Sequence, residues 1–266
     1  MKIEYGYYPQ GREKALTMSY DDGHIHDRRL VEIFNKYGIK GTFHINSGLF
    51  GQEHIVSAME VKELYRGHEV SGHTLMHPYM NLLSKEMLIY EVLEDKRNLE
   101  RLVGYPVRGM SYPYGVFDDT IVESIRMLGM EYSRTCIDDP RFSIPRDFLR
   151  WSPTCHHDRA MSKLEYFQDP EPWVVMPLFY VWGHSFEFYR NNNNWETIEA
   201  FCKAVSYDDN VWYATNIEIK DYITALRGLV FSADRTIIYN PSGISVWLSV
   251  DKEPLEIKPV QTVTLS

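Results

Sequence analysis

The chain has 266 residues, of which 44% are hydrophobic and 24% are charged. This length suits one large α/β domain with or without an appendage, and the apolar content is enough for a sizeable core. The formal net charge of −9 argues against nucleic acid and against an anionic membrane as partners.

Apolar runs typical of strands alternate with periodic segments typical of helices, the pattern of a mainly parallel sheet or barrel wrapped by helices. Helix starts are indicated by capping residues such as Ser84, and helix ends by glycines such as Gly104. In chain order we predict strand 15–20, helix 27–38, strand 40–45, helix 57–67, strand 68–71, helix 84–104, strand 108–112, helix 119–128, strand 174–182, and helices 195–205 and 219–226.

The pattern changes after about residue 228. Apolar and polar residues then alternate over 236–239, 244–250, 255–258 and 260–265, with turn-forming residues between them. We therefore predict an α/β domain over residues 1–228 and a small antiparallel β appendage over 229–266. The apolar strand at 244–248 could pack on the main domain or on a second subunit, which leaves a homo-oligomer open.

Two short motifs with metal-ligand chemistry follow predicted strands. Asp21 and Asp22 precede a glycine, and His73 and His77 lie four positions apart. In α/β folds the reacting groups sit where strands end. Pro78 disfavours helical geometry at the preceding histidine, so we place both histidines on a loop. The motifs supply two imidazoles and one carboxylate for a divalent metal, with a second carboxylate left as a base.

Two later segments add groups that a metal hydrolase can use. A Pro113-Tyr114-Gly115 turn follows strand 108–112 and presents backbone N–H groups and aromatic faces. His184 comes directly after strand 174–182. Beside the first two motifs, this histidine is the natural proton donor.

These four segments, in this order, resemble the polysaccharide deacetylases of the NodB-homology type, carbohydrate esterase family 4. The resemblance covers roughly residues 12–228. It implies a distorted (β/α) barrel of about seven strands. It also implies a metal-dependent hydrolase that removes acetyl groups from an N- or O-acetylated carbohydrate.

The resemblance also implies a role for individual residues. Asp22, His73 and His77 would bind the metal, usually Zn²⁺, with Co²⁺ or another divalent ion tolerated. Asp21 would be the general base that takes a proton from the attacking water.

The remaining implied roles concern the oxyanion, the leaving group and the substrate. The backbone N–H of Tyr114 would stabilise the oxyanion, and His184 would protonate the leaving amine. The other residues expected to contact the substrate are Tyr112, Pro113, Trp151, His156 and Trp182.

The sequence departs from the family pattern around the expected base. The family usually has an arginine two residues before the proline of the third motif, where this chain has Ser111. Arg108 or Arg150 could substitute for it. The fourth motif is only echoed by residues 146–151, and Val181 stands where the fifth usually has leucine. We therefore expect a divergent subgroup whose substrate need not be chitin or peptidoglycan.

A second histidine cluster, Cys155-His156-His157-Asp158, offers further metal-ligand types. Adjacent side chains on a strand point to opposite faces, so these two histidines are not expected to share one ion. A wall of the substrate groove and a surface loop are both compatible with this segment. His24 and His26, near the base, could line the pocket.

Two alternatives to the carbohydrate deacetylase stay open. The same fold and metal site could hydrolyse a small amide or cyclic imide, for which a closed pocket would be expected instead of an open aromatic groove. A non-catalytic carbohydrate-binding pseudoenzyme would lack a metal ligand or the base, whereas this chain has all of them.

The sequence also carries hints about location. Three scattered cysteines without a C-x-x-C spacing indicate neither a disulfide framework nor a thiolate metal site. Residues 1–5 are too polar for a signal peptide, and no apolar run reaches transmembrane length. We expect a cytoplasmic protein; a secreted one would need a leader outside this sequence.

Overall fold

The computed structural model describes residues 1–190 and 193–265. Within those residues the chain forms fourteen β-strands and eight α-helices. The strands are β1 (Ile3–Tyr5), β2 (Lys14–Asp21), β3 (Gly41–Ile45), β4 (Glu69–Gly72), β5 (Gly109–Ser111), β6 (Tyr132–Arg134), β7 (Cys155–His156), β8 (Leu178–Gly183), β9 (Val211–Tyr213), β10 (Val230–Phe231), β11 (Ile237–Tyr239), β12 (Val246–Val250), β13 (Glu253–Ile257) and β14 (Thr262–Thr264). The helices are α1 (Asp27–Lys36), α2 (Val61–Leu64), α3 (Lys85–Val103), α4 (Asp119–Met127), α5 (Ala160–Gln168), α6 (Ser185–Arg190), α7 (Trp195–Val205) and α8 (Asn216–Arg227).

The main sheet has eight parallel strands. Its order is β6-β5-β4-β3-β2-β8-β7, and β9 also pairs with β2. β2 lies in the middle of this sheet, and residues 15–20 are all fully buried; four of them are apolar, and the other two are the small polar residues Thr17 and Ser19. Tyr20 lies opposite Phe43 on β3 and opposite Gly183 on β8.

The two outer strands of this sheet approach each other through the segment between them. Trp151 forms a parallel bridge with Arg134 at the end of β6. Three residues later, the N–H of Thr154 donates to the carbonyl of Tyr180 on β8 over 2.7 Å. The sheet therefore curls into a distorted barrel, and the expected (β/α) barrel is confirmed.

Helices cover the outside of this barrel with their apolar faces. α1 buries Leu30, Val31 and Phe34, which lie at the helical spacing seen in the sequence. α3 begins after Ser84, whose side chain accepts from the N–H of Met87. It ends at Gly104, where a φ of 81° suits a residue without a Cβ.

The last part of the chain forms two small antiparallel sheets, with strand orders β1-β12-β13 and β10-β11-β14. Val246, Leu248 and Ile257 are fully buried and share one apolar cluster with Tyr222 of α8. The apolar strand near residue 246 therefore packs on the main domain. The division at residue 228 stays a prediction, and the N-terminal strand β1 joins the C-terminal sheet.

Most predicted elements are present, with ends shifted by a few residues. Two elements that we did not predict carry residues of the candidate site: the three-residue strand β6 and the six-residue helix α6. In the described part of the chain, no helix has both the length and the apolar character needed to cross a membrane.

Candidate active site

The parallel sheet brings the predicted reacting residues to one edge. Asp21 ends β2, His73 follows β4, and His184 follows β8 on the other side of β2. The carboxyl ends of parallel strands lie at the same edge of a sheet, where ligands bind in open α/β folds. Asp22 and His77 complete the group, so all five residues predicted for the metal, the base and the acid lie together.

Three of these side chains form a candidate metal centre. Oδ1 of Asp22 lies 3.6 Å from Nε2 of His73 and 3.8 Å from Nε2 of His77. Ligand atoms of a tetrahedral zinc ion, with bonds of about 2.0–2.1 Å, lie roughly 3.3 Å apart. The measured separations exceed a hydrogen bond and approach this spacing, so the three side chains fit a divalent cation.

The orientation of His73 is fixed by Ser111. Its Nδ1 lies 3.0 Å from the carbonyl oxygen and 2.7 Å from Oγ of Ser111. A carbonyl oxygen can only accept, so Nδ1 carries the proton and the lone pair of Nε2 faces Asp22. Burial lowers the pKa of His73 to about 3, which keeps the imidazole neutral and able to bind a metal.

The loop that carries both histidines is held by buried polar side chains. Asp95 of α3 accepts from the backbone N–H of His73 over 3.0 Å. The side-chain amide of Asn46 donates to the carbonyls of His73 and Thr74. His77 has a φ of 56°, outside helical geometry, so the predicted loop is confirmed.

Asp21 is braced by an arginine that the sequence analysis missed. Arg134, at the end of β6, is fully buried and donates from Nη2 to Oδ2 of Asp21. The hydroxyl of Ser111 donates to the other oxygen, Oδ1, over 3.0 Å. Burial alone would raise the pKa of Asp21, but the charge of Arg134, with smaller contributions from nearby histidines, holds it well below its usual range.

Neither arginine considered as a substitute reaches the base. Arg108 pairs with Glu131 and Asp221. Arg150 pairs with Asp119 and Asp147. The arginine that binds Asp21 is therefore on the strand next to the one where the family pattern places it. Ser111, at the expected position, ends β5, and Arg134 lies opposite it on β6.

His184 is paired with a carboxylate on its own helix. Its Nδ1 lies 2.6 Å from Oε1 of Glu187, three residues later in α6. Its Nε2 lies 4.0 Å from Oδ2 of Asp21. Burial opposes protonation, but the hydrogen bond to Glu187 and the charges of Asp21 and Asp22 outweigh it and raise the pKa of His184.

The second histidine cluster converges on the same carboxylate. Nε2 of His156 and Nε2 of His157 lie 2.9 and 3.1 Å from Oε2 of Glu187. The expectation that the two rings would diverge is wrong, because β7 ends at His156 and a 3-10 turn begins at His157. These separations are hydrogen-bond distances, and the three ligand atoms also lie within 4.8 Å of one another, so both histidines can face one ion, contrary to the prediction. The bonds from the histidines outweigh burial and keep the pKa of Glu187 well below its usual range.

Three residues predicted to contact substrate do not line the site. Tyr112 is fully buried and donates from its hydroxyl to the carbonyl of Leu149. Trp151 is 1% exposed and packs edge-on against Tyr180 inside the barrel. Pro113 is buried within its turn. Their apolar character reflects the core rather than a substrate surface.

Tyr114 and Trp182 lie beside the reacting groups. Tyr114 has a φ of 56°, and its half-exposed ring meets the ring of His77 at a centroid distance of 4.4 Å. The ring of Trp182 lies 4.4 Å from the guanidinium carbon of Arg134 and 5.7 Å from the ring of His184. Tyr114 thus adjoins the candidate metal centre, and Trp182 adjoins Arg134 and His184.

Residues 9–133 match the family model described as polysaccharide deacetylase. The chain is 24% identical over 121 residues to the peptidoglycan-N-acetylglucosamine deacetylase of Bacillus cereus, covering 45% of this chain and 55% of that protein. Among the curated relatives that it matches, the matched stretch covers between 26% and 55% of their length.

Solved structures agree on the fold. A candidate polysaccharide deacetylase from Mycobacterium smegmatis superposes with a TM-score of 0.63 at 14% identity, over 85% of this chain and 96% of that one. A pseudoenzyme of carbohydrate esterase family 4 from Bacillus anthracis gives 0.51 at 19% identity, over 81% and 68%. The fold is therefore the distorted (β/α) barrel of this class. The family model and the matched relatives, each over somewhat less than half of the chain, support a polysaccharide deacetylase domain of the NodB-homology type.

Proposed function

We propose that the protein is a metal-dependent hydrolase that removes acetyl groups from an N- or O-acetylated carbohydrate. One observation carries this proposal. A cluster of ligand-type atoms from Asp22, His73 and His77 lies directly beside Asp21, a carboxylate that a buried arginine keeps ionised. A hydrolase of this kind needs a metal centre and an adjacent base.

The three ligand residues would hold one divalent ion, zinc or cobalt by the nature of their donors. When bound, such an ion polarises an acyl carbonyl and makes a nearby water more acidic. Among the protein groups, the neutral His73 donates its Nδ1–H to Ser111. The same serine donates to Asp21, so it couples the orientation of a metal ligand to that of the base.

Asp21 would accept a proton from the attacking water. It stays ionised at neutral pH because Arg134 stabilises its charge, and both of its oxygens are held in place. A carboxylate with this support is a weak but permanently available base.

His184 would donate a proton to the leaving amine, which departs poorly without one. Its Nδ1–H is bound by Glu187, which leaves Nε2 facing Asp21 across 4.0 Å. The base and the acid therefore reach the same space from two sides. The backbone N–H of Tyr114 would stabilise the oxyanion, and Trp182 would form a wall of the acetyl pocket.

The open surroundings of the site favour a carbohydrate over a small amide or cyclic imide. Tyr114 and Tyr79 are 53% and 48% exposed and stack at a centroid distance of 3.9 Å next to His77. A closed pocket would have buried these rings. The pseudoenzyme alternative needs a lost ligand or base, whereas Asp21, Asp22 and both histidines of the centre are present and oriented.

Acetate release from a panel of acetylated oligosaccharides and small amides, with zinc or cobalt supplied, tests the proposal. We expect Asp21→Asn to lose about 10²-fold or more of kcat/KM while still binding the metal. Asp119→Asn, whose side chain is 97% exposed, is the matched control and should behave like the wild type. Full activity of Asp21→Asn, or no acetate from any substrate, would show the proposal to be wrong.

Metal analysis gives an independent measurement. Protein purified without added metal should contain about one zinc-like ion per chain. His77→Ala should lower this content several-fold, because it removes one of three ligands.

A further inference from the structure

A second group of metal-ligand side chains adjoins the proposed acid, His184, and shares no residue with the candidate metal centre. Nε2 of His156 and Nε2 of His157 lie 2.9 and 3.1 Å from the same oxygen, Oε2 of Glu187. The three ligand atoms lie within 4.8 Å of one another. Two imidazoles and one carboxylate are the donors of the sites that bind Fe²⁺ and related transition-metal ions with open positions for water.

The spacing of these atoms suits an ion with six ligands. Adjacent ligands of an octahedral ion, at bond lengths of about 2.1 Å, lie roughly 3.0 Å apart. The two separations from Oε2 of Glu187, 2.9 and 3.1 Å, match that spacing. Hydrogen bonds have the same length, so the other atoms of these side chains must distinguish a cation from shared protons.

The second ring nitrogen of His156 favours a cation. Its Nδ1 lies 3.0 Å from Oδ1 of Asp158, so the ring faces a carboxylate at each nitrogen. With protons alone, a neutral ring would turn a lone pair toward one of the two carboxylates. A cation at Nε2 removes this conflict, because the proton then stays on Nδ1 and faces Asp158. A carboxylate on the far nitrogen is a common partner of metal-binding histidines.

The other two ligands are held in place before any ion binds. Oε1 of Glu187 lies 2.6 Å from Nδ1 of His184, which leaves Oε2 as the free oxygen. The side chain of His157 is 4% exposed, and its ring stacks against those of Tyr20 and Phe188 at 5.8 and 4.3 Å. Ligands whose orientation is fixed by packing lose little freedom when they bind an ion.

We propose that His156, His157 and Glu187 bind a second divalent transition-metal ion, of a six-coordinate type such as Ni²⁺ or Co²⁺. The inference goes beyond the proposed function, because it requires no hydrolysis. The side chains of His156 and Glu187 are 17% and 22% exposed, so an ion can enter from solvent and keep water in its remaining positions. Glu187 would then connect this ion to His184 through its other oxygen.

Equilibrium dialysis against Ni²⁺, followed by elemental analysis, tests the site. The wild type should bind one ion more per chain than His156→Ala. His77→Ala, which removes a ligand of the candidate metal centre, should still bind the ion that His156→Ala loses. His54→Ala, at an exposed histidine outside both groups, is the matched control and should bind as much Ni²⁺ as the wild type.

A second variant tests the role of the outer carboxylate. Asp158→Asn changes a side chain that is 63% exposed, so the fold should tolerate it. It should weaken the binding of the additional Ni²⁺ by about tenfold or more, because it removes the carboxylate partner of His156. Binding at the candidate metal centre should not change.

Crystals grown with Ni²⁺ give a direct view of the ligands. An anomalous difference peak is expected about 2.1 Å from Oε2 of Glu187 and from Nε2 of both histidines. If His156→Ala and the wild type bind the same amount of Ni²⁺, or if no peak appears beside Glu187, these side chains form hydrogen bonds only and the proposal is refuted. Neither measurement depends on acetate release, so a failure of the proposed function would leave this result unaffected.

Discussion

Arg134 provides the sharpest test of the candidate site, because it is the brace that the sequence did not reveal. Its side chain is 0% exposed and that of Asp21 is 3% exposed. Arg134→Met keeps a long apolar side chain but removes the charge. Asp21 then stays buried with a single hydrogen bond, from Ser111.

The magnitude follows from this burial. Removing one partner of a buried ion pair costs about 3–5 kcal/mol of folding free energy, because the other charge is left uncompensated. The pKa of Asp21 in the folded protein should rise. In the wild type this pKa lies below the unfolded value, so the ion pair contributes stability above about pH 4 that is lost as the pH falls further. In Arg134→Met the pKa of Asp21 should lie higher in the folded protein than in the unfolded chain. The free energy of unfolding of this variant should therefore fall as pH rises above about 4.

The assay is a pH profile of kcat/KM for acetate release, with urea denaturation in parallel. We expect Arg134→Met to lose about 10²-fold of kcat/KM at neutral pH. The acid limb of its pH profile should move to higher pH. Arg134→Lys, which keeps the charge, should retain more of both activity and stability. Arg108→Met is the matched control, because it breaks ion pairs that are partly exposed. It should lower the free energy of unfolding by less than about 1 kcal/mol and leave the pH profile of kcat/KM unchanged. A wild-type acid limb in Arg134→Met would refute the bracing role.

Three further substitutions test other parts of the structure. Glu187→Gln should lower the pKa of His184, because the negative charge that raises it is removed and the hydrogen bond to Nδ1 is weakened, and the basic limb of kcat/KM should move to lower pH. Gly183→Ala should destabilise the fold by about 1–3 kcal/mol in urea, because the new Cβ would lie 2.0 Å from Nδ1 of His157. Burial raises the pKa of Asp27 to about 7 in the folded protein. The contribution of this carboxyl to folding stability is therefore lost as pH rises through 7. At pH 9, Asp27→Asn should be more stable than the wild type by about 1–2 kcal/mol.

Two of these variants have a control in the same chain. Glu199→Gln removes a carboxylate that pairs with Lys36 away from the site and should leave the pH profile unchanged. Gly243→Ala adds a Cβ where no atom lies within 4 Å and should be neutral. An unshifted basic limb in Glu187→Gln, equal stability of the two glycine variants, or an unchanged pH dependence of stability in Asp27→Asn would each contradict the corresponding argument.

The barrel and the candidate metal centre were predictable because their signals are local. β2 is a mostly apolar strand, buried on both faces, that ends at Asp21 and is followed directly by Asp22. The spacing of His73 and His77, with Pro78 after them, already indicated a loop. Because the loops that follow parallel strands lie at the same edge of a sheet, the predicted fold is enough to place the two motifs close together.

The parts that could not be predicted lie on short elements. β6 has three residues and α6 has six, too few for a period-2 or period-3.6 pattern to stand out. Arg134 and Glu187 therefore looked like ordinary charged residues. The one available signal for Arg134 was its place at the end of a strand next to that of Ser111, which becomes visible only when the strand order is known.

The sequence by itself determined the fold class and the identity of the proposed metal ligands, base and acid, because each is written into a motif at the end of a recognisable element. Only the tertiary structure decided what supports them. It showed that Arg134 from a neighbouring strand replaces the expected brace of Asp21, and that His156 and His157 converge on Glu187. Such partners are chosen by proximity in space across 113 residues of chain for Arg134 and Asp21, and no local pattern encodes that proximity.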